Sequence, residues 1–132
     1  MNTLILVVDD EADVEVLFRQ QFRRDLRAGR FNMEFALSAL EALVRVDAAL
    51  DADLILVLSD INMPGMSGLD LLPEIRARRP NVPVFMITAY GDAATKAKAM
   101  ERGAKALLTK PLDFSALRAL IVERLAEIGR AA

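Results

Sequence analysis

Residues 54–68 read LILVLSDINMPGMSG, and the change of character at Asp60 says more about the fold than any other point in the chain. Leu54 to Leu58 are uniformly apolar and too few to be anything but an interior strand or a scrap of buried helix. Asn62, Pro64, Gly65, Ser67 and Gly68 then follow. Theirs is loop chemistry: proline fixes one backbone angle, glycine permits positive ones, and Asn and Ser hydrogen-bond locally. Asp60 thus stands where a buried strand is expected to surface.

Outward from this stretch, apolar runs alternate with helix-period stretches along the whole chain. The expected strands are LILVV, MEFA, LILVL, VFMIT and ALLT. Val14, Leu17, Phe18, Gln21 and Phe22 recur at helical spacing and predict a first helix burying that stripe. Ser38 and Glu41 form an S-x-x-E capping box opening a second, with Leu40, Leu43 and Val44 as its apolar face. Ser67 caps a third, with Asp70 in its first turn and Leu69, Leu72 and Ile75 facing inward. Pro73 lies beyond that first turn, so a kink or a looser opening turn is expected near Leu69 to Pro73. A fourth helix, Asp92 to Arg102, draws its inner face from Ala93, Ala94, Ala97 and Met100, and such small side chains predict weak docking. The last carries Leu117, Leu120, Ile121, Leu125 and Ile128 and is expected to stop near Gly129. Met33, Met63, Met66, Met86 and Met100 read as gap fillers.

Continuous hydrophobic strands alternating with helices imply an α/β fold, a parallel sheet covered on both faces by right-handed crossovers. At 132 residues, the chain suits one domain. It has no cysteine and no histidine, which excludes disulfides, thiolate nucleophiles, the usual zinc ligands and any phosphohistidine of its own. No apolar run approaches a membrane span, and the start MNTLILVVDD lacks the basic opening of a signal peptide, so a soluble, cytoplasmic protein is expected. A net charge of −2 argues against direct nucleic-acid binding. The basic run RRDLRAGR reads as the solvated end of a helix and the turn after it.

Open parallel sheets bind ligands outside the carboxyl ends of their strands. There the first strand ends in Asp9 and Asp10, the third in Asp60, the fourth in Thr88, and the fifth in Thr109 and Lys110. Taken singly, the aspartates read as helix caps or turn openers, Thr88 as a strand residue and Lys110 as a surface ion-pair partner. Their joint placement is what favours a site. Clustered carboxylates repel one another, so a hard cation is the natural occupant. Mg²⁺ suits Asp10 and Asp60 with the main-chain carbonyl of Asn62, phosphate completing the shell, and a carboxylate so placed can act as a nucleophile toward phosphorus.

The chain resembles the receiver domain of two-component response regulators, CheY-like proteins, over essentially its full length. The resemblance rests on VVDDE at 7–11, SDINMPGMSG at 59–68, MITAYG at 86–91 and GAKALLTKP at 103–111. It implies a flavodoxin-like (βα)5 fold, strand order 2-1-3-4-5, in one receiver domain over 1–132 with no output domain. It implies a phosphorylation-regulated signalling protein, not an enzyme beyond its own phosphoryl uptake and loss. Asp60 would accept a phosphoryl group from the phosphohistidine of a sensor kinase or phosphotransfer protein, with Thr88 sensing it and Lys110 pairing with it. Asp10 would bind Mg²⁺ directly, Asp9 mainly through water, and Asn62 through its carbonyl. The family's bond before Pro111 is commonly cis. Phosphorylation would repack the fourth-helix face for a separate output protein or for dimerisation through the fourth helix, fifth strand and fifth helix. Leu107 departs from the family, which has an aromatic there, and Tyr90 lies where the family tunes dephosphorylation. Two other readings stand beside this one: a phosphorylation-independent interaction module with a dormant site, and a haloacid-dehalogenase-like phosphatase. The latter expects a second acid two residues after its nucleophile, where this chain has Asn62.

Overall fold

The computed structural model describes residues 3–50 and 53–131, with side chains described to residue 129. Strands β1 (Leu4–Val8), β2 (Asn32–Ala36), β3 (Leu54–Asp60), β4 (Val84–Thr88) and β5 (Ala106–Thr109) form one parallel sheet in the order β2-β1-β3-β4-β5. Helices α1 (Asp13–Gln21), α2 (Arg23–Arg27), α3 (Ala39–Ala48), α4 (Gly68–Arg78), α5 (Ala93–Glu101) and α6 (Phe114–Ala131) cover it. The pleat divides the apolar strand residues between two cores. Leu6, Val8, Val84 and Met86 meet α3, α4 and α5 on one face. Ile5, Val7, Leu58 and Ile87 meet α1 and α6 on the other, where Phe18, Phe22 and Phe114 form edge-to-face or tilted ring contacts.

Both S-x-x capped helices begin as expected. The Ser38 hydroxyl accepts from the Glu41 amide at 3.1 Å, and the Glu41 carboxylate accepts from the Leu37 amide at 3.2 Å. Ser67 accepts from the Asp70 amide at 3.2 Å. The inner faces differ from expectation in three helices. In α3, Leu40 and Val44 are each 68% exposed, and Ala39, Ala42, Leu43 and Val46 face the sheet instead. In α5 only Ala99 is buried, while Ala93, Ala94, Ala97 and Met100 are exposed, so the helix is even more thinly docked than its composition suggested. In α1, Phe18 and the following Phe22 are buried, but Leu17 and Gln21 are exposed. In α3 the small Ala39 and Ala42 let the helix approach the sheet closely, where Leu40 and Val44 would hold it off.

Pro73 does not break α4, which runs unbroken from Gly68 to Arg78. Proline leaves the carbonyl four residues earlier, that of Leu69, without its helical donor. The Arg102 guanidinium supplies one at 2.7 Å and also reaches the Asp70 carboxylate at 3.1 Å. Gly129 likewise does not stop α6, which continues to Ala131. The basic run 23–30 is more than a frayed end: it contains the short helix α2, anchored by buried Asp25. Among the methionines, Met33, Met63 and Met86 fill the core, Met66 packs against it, and Met100 is 45% exposed.

Candidate functional site

Register brings the polar residues together. Val8 lies level with Ser59 across β1 and β3, so Asp9, the next residue, comes level with Asp60. Asp60 pairs with Ile87, and Thr88 with Thr109, which places the end of β4 beside Asp60 and leads directly to Lys110. The Lys110 amide donates to the Thr88 carbonyl at 2.8 Å, and the Lys110–Pro111 peptide is cis. β3 continues through Asp60, so this carboxylate is only 4% exposed and does not surface as the loop chemistry suggested.

Carboxylate oxygens of Asp9, Asp10 and Asp60 lie within 4.8 Å of one another. Asp9 is buried and Asp10 exposed, so the cluster opens to solvent on one side. The Lys110 ammonium stands 3.4 Å from Asp60 Oδ2 and 3.6 Å from Asp9 Oδ2. Asp9 commits its other oxygen, Oδ1, to the Glu11 amide at 2.9 Å. Burial pushes the Asp9 carboxyl above its ordinary pKa, with the neighbouring charges of Asp60 and Asp10 adding to the rise and the Glu11 amide and Lys110 opposing it. Burial alone would pull the Lys110 ammonium down, but Asp60 and Asp9 beside it outweigh that and hold its pKa above the usual lysine value. Among the described residues, the one ammonium at this cluster of three carboxylates, that of Lys110, pairs with two of them, Asp9 and Asp60. This is a set short of positive charge, and an all-oxygen donor group of this kind fits a small hard divalent cation.

Thr88 is 1% exposed, and its hydroxyl accepts from the Tyr90 amide at 3.0 Å. Tyr90 itself is 69% exposed. Thr109 is exposed and has no described part in the cluster. Asn62 is exposed in the loop after β3, while its neighbours Ile61 and Met63 are buried and pin that loop. Leu107 is half-buried against the core shared by α3, α4 and α5. Gly68 is the residue whose importance sequence reasoning missed. A Cβ there would fall against the Asp60 carbonyl and the Met86 methyl, so only glycine lets α4 start this close to the acidic pocket. A glycine directly after a capping serine, where the cap needs none, is the signal that could have revealed it.

Residues 5–122 match the family profile described as Response regulator receiver domain. The chain is 40% identical over 123 residues to the response regulator protein PilR of Pseudomonas aeruginosa, covering 91% of this chain and 25% of that protein. It is 37% identical over 126 residues to the transcriptional regulatory protein ZraR of Escherichia coli, covering 95% of this chain and 27% of the relative. The chain thus spans about a quarter of the length of these relatives. Among solved structures, the CheY-like receiver domain protein of Methanospirillum hungatei superposes with a TM-score of 0.86 at 26% identity, over 100% of both chains. A receiver domain from Clostridium thermocellum gives 0.82 at 27% identity, over 98% of this chain and 99% of that one. With the strand order, the acidic pocket and a profile match over most of its length in agreement, the chain belongs to the response regulator receiver domain family of two-component signalling systems.

Proposed function

We propose that Asp60 is the phosphoacceptor of this receiver domain, taking a phosphoryl group from the phosphohistidine of a sensor kinase or phosphotransfer protein. A carboxylate oxygen of Asp60 forms the new bond to phosphorus as the phosphorus–nitrogen bond breaks, the imidazole keeping the bonding pair. A phosphohistidine donor lies outside these 132 residues, which contain no histidine. Asp9, Asp10, Asp60 and the Asn62 carbonyl would hold Mg²⁺, which when bound offsets the clustered negative charge and that of the incoming phosphoryl group. Lys110 meets a phosphoryl oxygen from the other side, and its depressed acidity keeps it charged for that task. The observation that carries this reading is the buried Asp60 carboxylate with an ammonium 3.4 Å away and two further acids beside it.

The switch follows from one hydrogen bond. The Thr88 hydroxyl accepts from the Tyr90 amide and keeps its own proton to donate to a phosphoryl oxygen on Asp60, so a shift of Thr88 toward that oxygen pulls on the backbone leading into α5. With only Ala99 buried, α5 offers little resistance to repacking. Its face, with β5 and α6, is the surface for a separate output protein or a second receiver. Leu107 has no hydroxyl to move between exposed and buried states, so exposed Tyr90 is the aromatic that responds, partly shielding the acyl phosphate. The cytoplasm, where sensor kinases hold their phosphohistidines, is the compartment this reading requires. Consistent with it, no helix among the described residues is long and apolar enough to cross a membrane.

Incubation with a small acyl-phosphate donor tests the reading. Acid-labile phosphate should appear only with Mg²⁺ and only when Asp60 is intact, and Asp60→Ala should abolish it. Normal partner binding by a protein that never labels would favour the dormant module, and repeated turnover of phosphate monoesters the phosphatase. Tyr90→Ala should shorten the phosphoryl half-life; unchanged decay would remove the shielding role.

A further inference from the structure

Away from the acidic pocket, α2 and the facing turn of α6 enclose a concave region of about 740 Å³ lined by Arg23, Arg24, Arg27, Arg30 and Arg118, with Asp25 at its base. It shares no lining residue with the cavity beside Asp9 and Lys110. Asp25 is 7% exposed and pairs with Arg30 at 3.3 Å and Arg118 at 3.2 Å. Arg118 also donates to the Gln21 carbonyl at 2.6 Å and lies over the Phe22 ring at 5.1 Å, so its guanidinium is held in place before any ligand arrives. Arg23, Arg24 and Arg27 are exposed and have no acidic partner among the described residues. Five arginines against one aspartate leave four uncompensated positive charges in one concavity, on a chain whose own net charge is −2. Most other arginines here are paired: Arg19, Arg45, Arg78, Arg102 and Arg124 each reach a carboxylate within 3.4 Å.

We propose that this arginine pocket binds a small oligophosphate, either free or as the phosphate chain of a nucleotide. Guanidinium forks match phosphate oxygens in pairs, and three of them here are spread over little more than one turn of helix. An oligophosphate concentrates several negative charges in a small volume, which suits a half-open concavity walled by guanidinium groups. An acidic peptide carries at most one charge per residue on a flexible chain that must be ordered to bring several of them together, and duplex nucleic acid asks for an extended basic track. Residue 118 lies eight positions after Lys110, on the helix that follows the pocket lysine, so a ligand held by Arg118 and Arg30 would also brace α6 against the turn after α2.

Titration calorimetry of the whole chain with inorganic tripolyphosphate, and in parallel with a nucleoside triphosphate, tests the assignment at about 150 mM salt and without divalent cation. Saturable one-to-one binding is expected, weakened roughly tenfold or more by the double substitution Arg24→Ala and Arg27→Ala. The control Lys96→Ala with Lys98→Ala removes the same charge from α5 and should leave affinity within about twofold. Asp60 labelling by an acyl-phosphate donor should be unchanged in the arginine variant, so failure here is separable from failure at Asp60. Tighter binding of the nucleoside triphosphate would identify a nucleotide, and equal binding a free oligophosphate. No saturable binding, equal weakening by both double substitutions, or tighter binding of polyglutamate or duplex DNA would overturn the proposal.

Discussion

Asp60 sits in a strand rather than beyond it, and that placement makes its surroundings unusually intolerant of change. Gly68 packs against its carbonyl with no room for a methyl group, so Gly68→Ala should destabilise by about 2 kcal/mol in urea denaturation and slow phosphoryl uptake by displacing the strand end. Among the described residues, Lys110 supplies the ammonium that pairs with Asp9 and Asp60 in the acidic cluster. Replacing it by Met leaves those charges to repel one another. Because Lys110 is a third exposed, the loss should be modest, about 1 kcal/mol, and thermal melts should show it more clearly in chelator than in Mg²⁺. Equal losses in both conditions would mean that Lys110 and the cation do not share the work of charge balance.

At the scale of elements, α4 and α5 are joined by a contact that neither helix would make alone. Pro73 orphans the Leu69 carbonyl and Arg102, just past the end of α5, fills it. Arg102→Ala should cost about 1 kcal/mol through that carbonyl. In a Pro73→Ala background, where the helical donor returns, the same change should cost less, and a double-mutant cycle measures the difference. Hydrogen bonds from Arg102 and then from Ser67 also hold the Asp70 carboxyl below its ordinary pKa of 3.8. A lowered carboxyl pKa in the folded state adds stability above pH 3.8 that is lost as pH falls through the lowered value. NMR titration should therefore place Asp70 below 3.8 in the parent and closer to 3.8 in Arg102→Ala. An unchanged Asp70 titration would show that Arg102 serves only the carbonyl.

The whole molecule links metal, charge and stability. If the three acids hold Mg²⁺, the cation binds the folded chain alone, and at about a hundred times its dissociation constant it should stabilise by about 2.7 kcal/mol. Asp10→Ala, which removes an exposed ligand, should abolish that increment in a Mg²⁺ melt series while leaving the metal-free fold intact. The strands to within two residues, the two serine caps and the placing of Asp9, Asp10, Asp60, Thr88 and Lys110 at strand ends were readable from local patterning, while the sheet order followed from the family resemblance. The inner faces of α3 and α5, the guanidinium that meets the Leu69 carbonyl beside Pro73 and the role of Gly68 were not. Those were decided by how closely each helix approaches the sheet and by which distant side chain reaches an orphaned carbonyl, distances that exist only after packing. Sequence alone thus determined which chemical groups this chain brings to the ends of its strands, and tertiary structure decided how near they come, because charge balance among carboxylates and an ammonium turns on a few ångströms that no linear spacing contains.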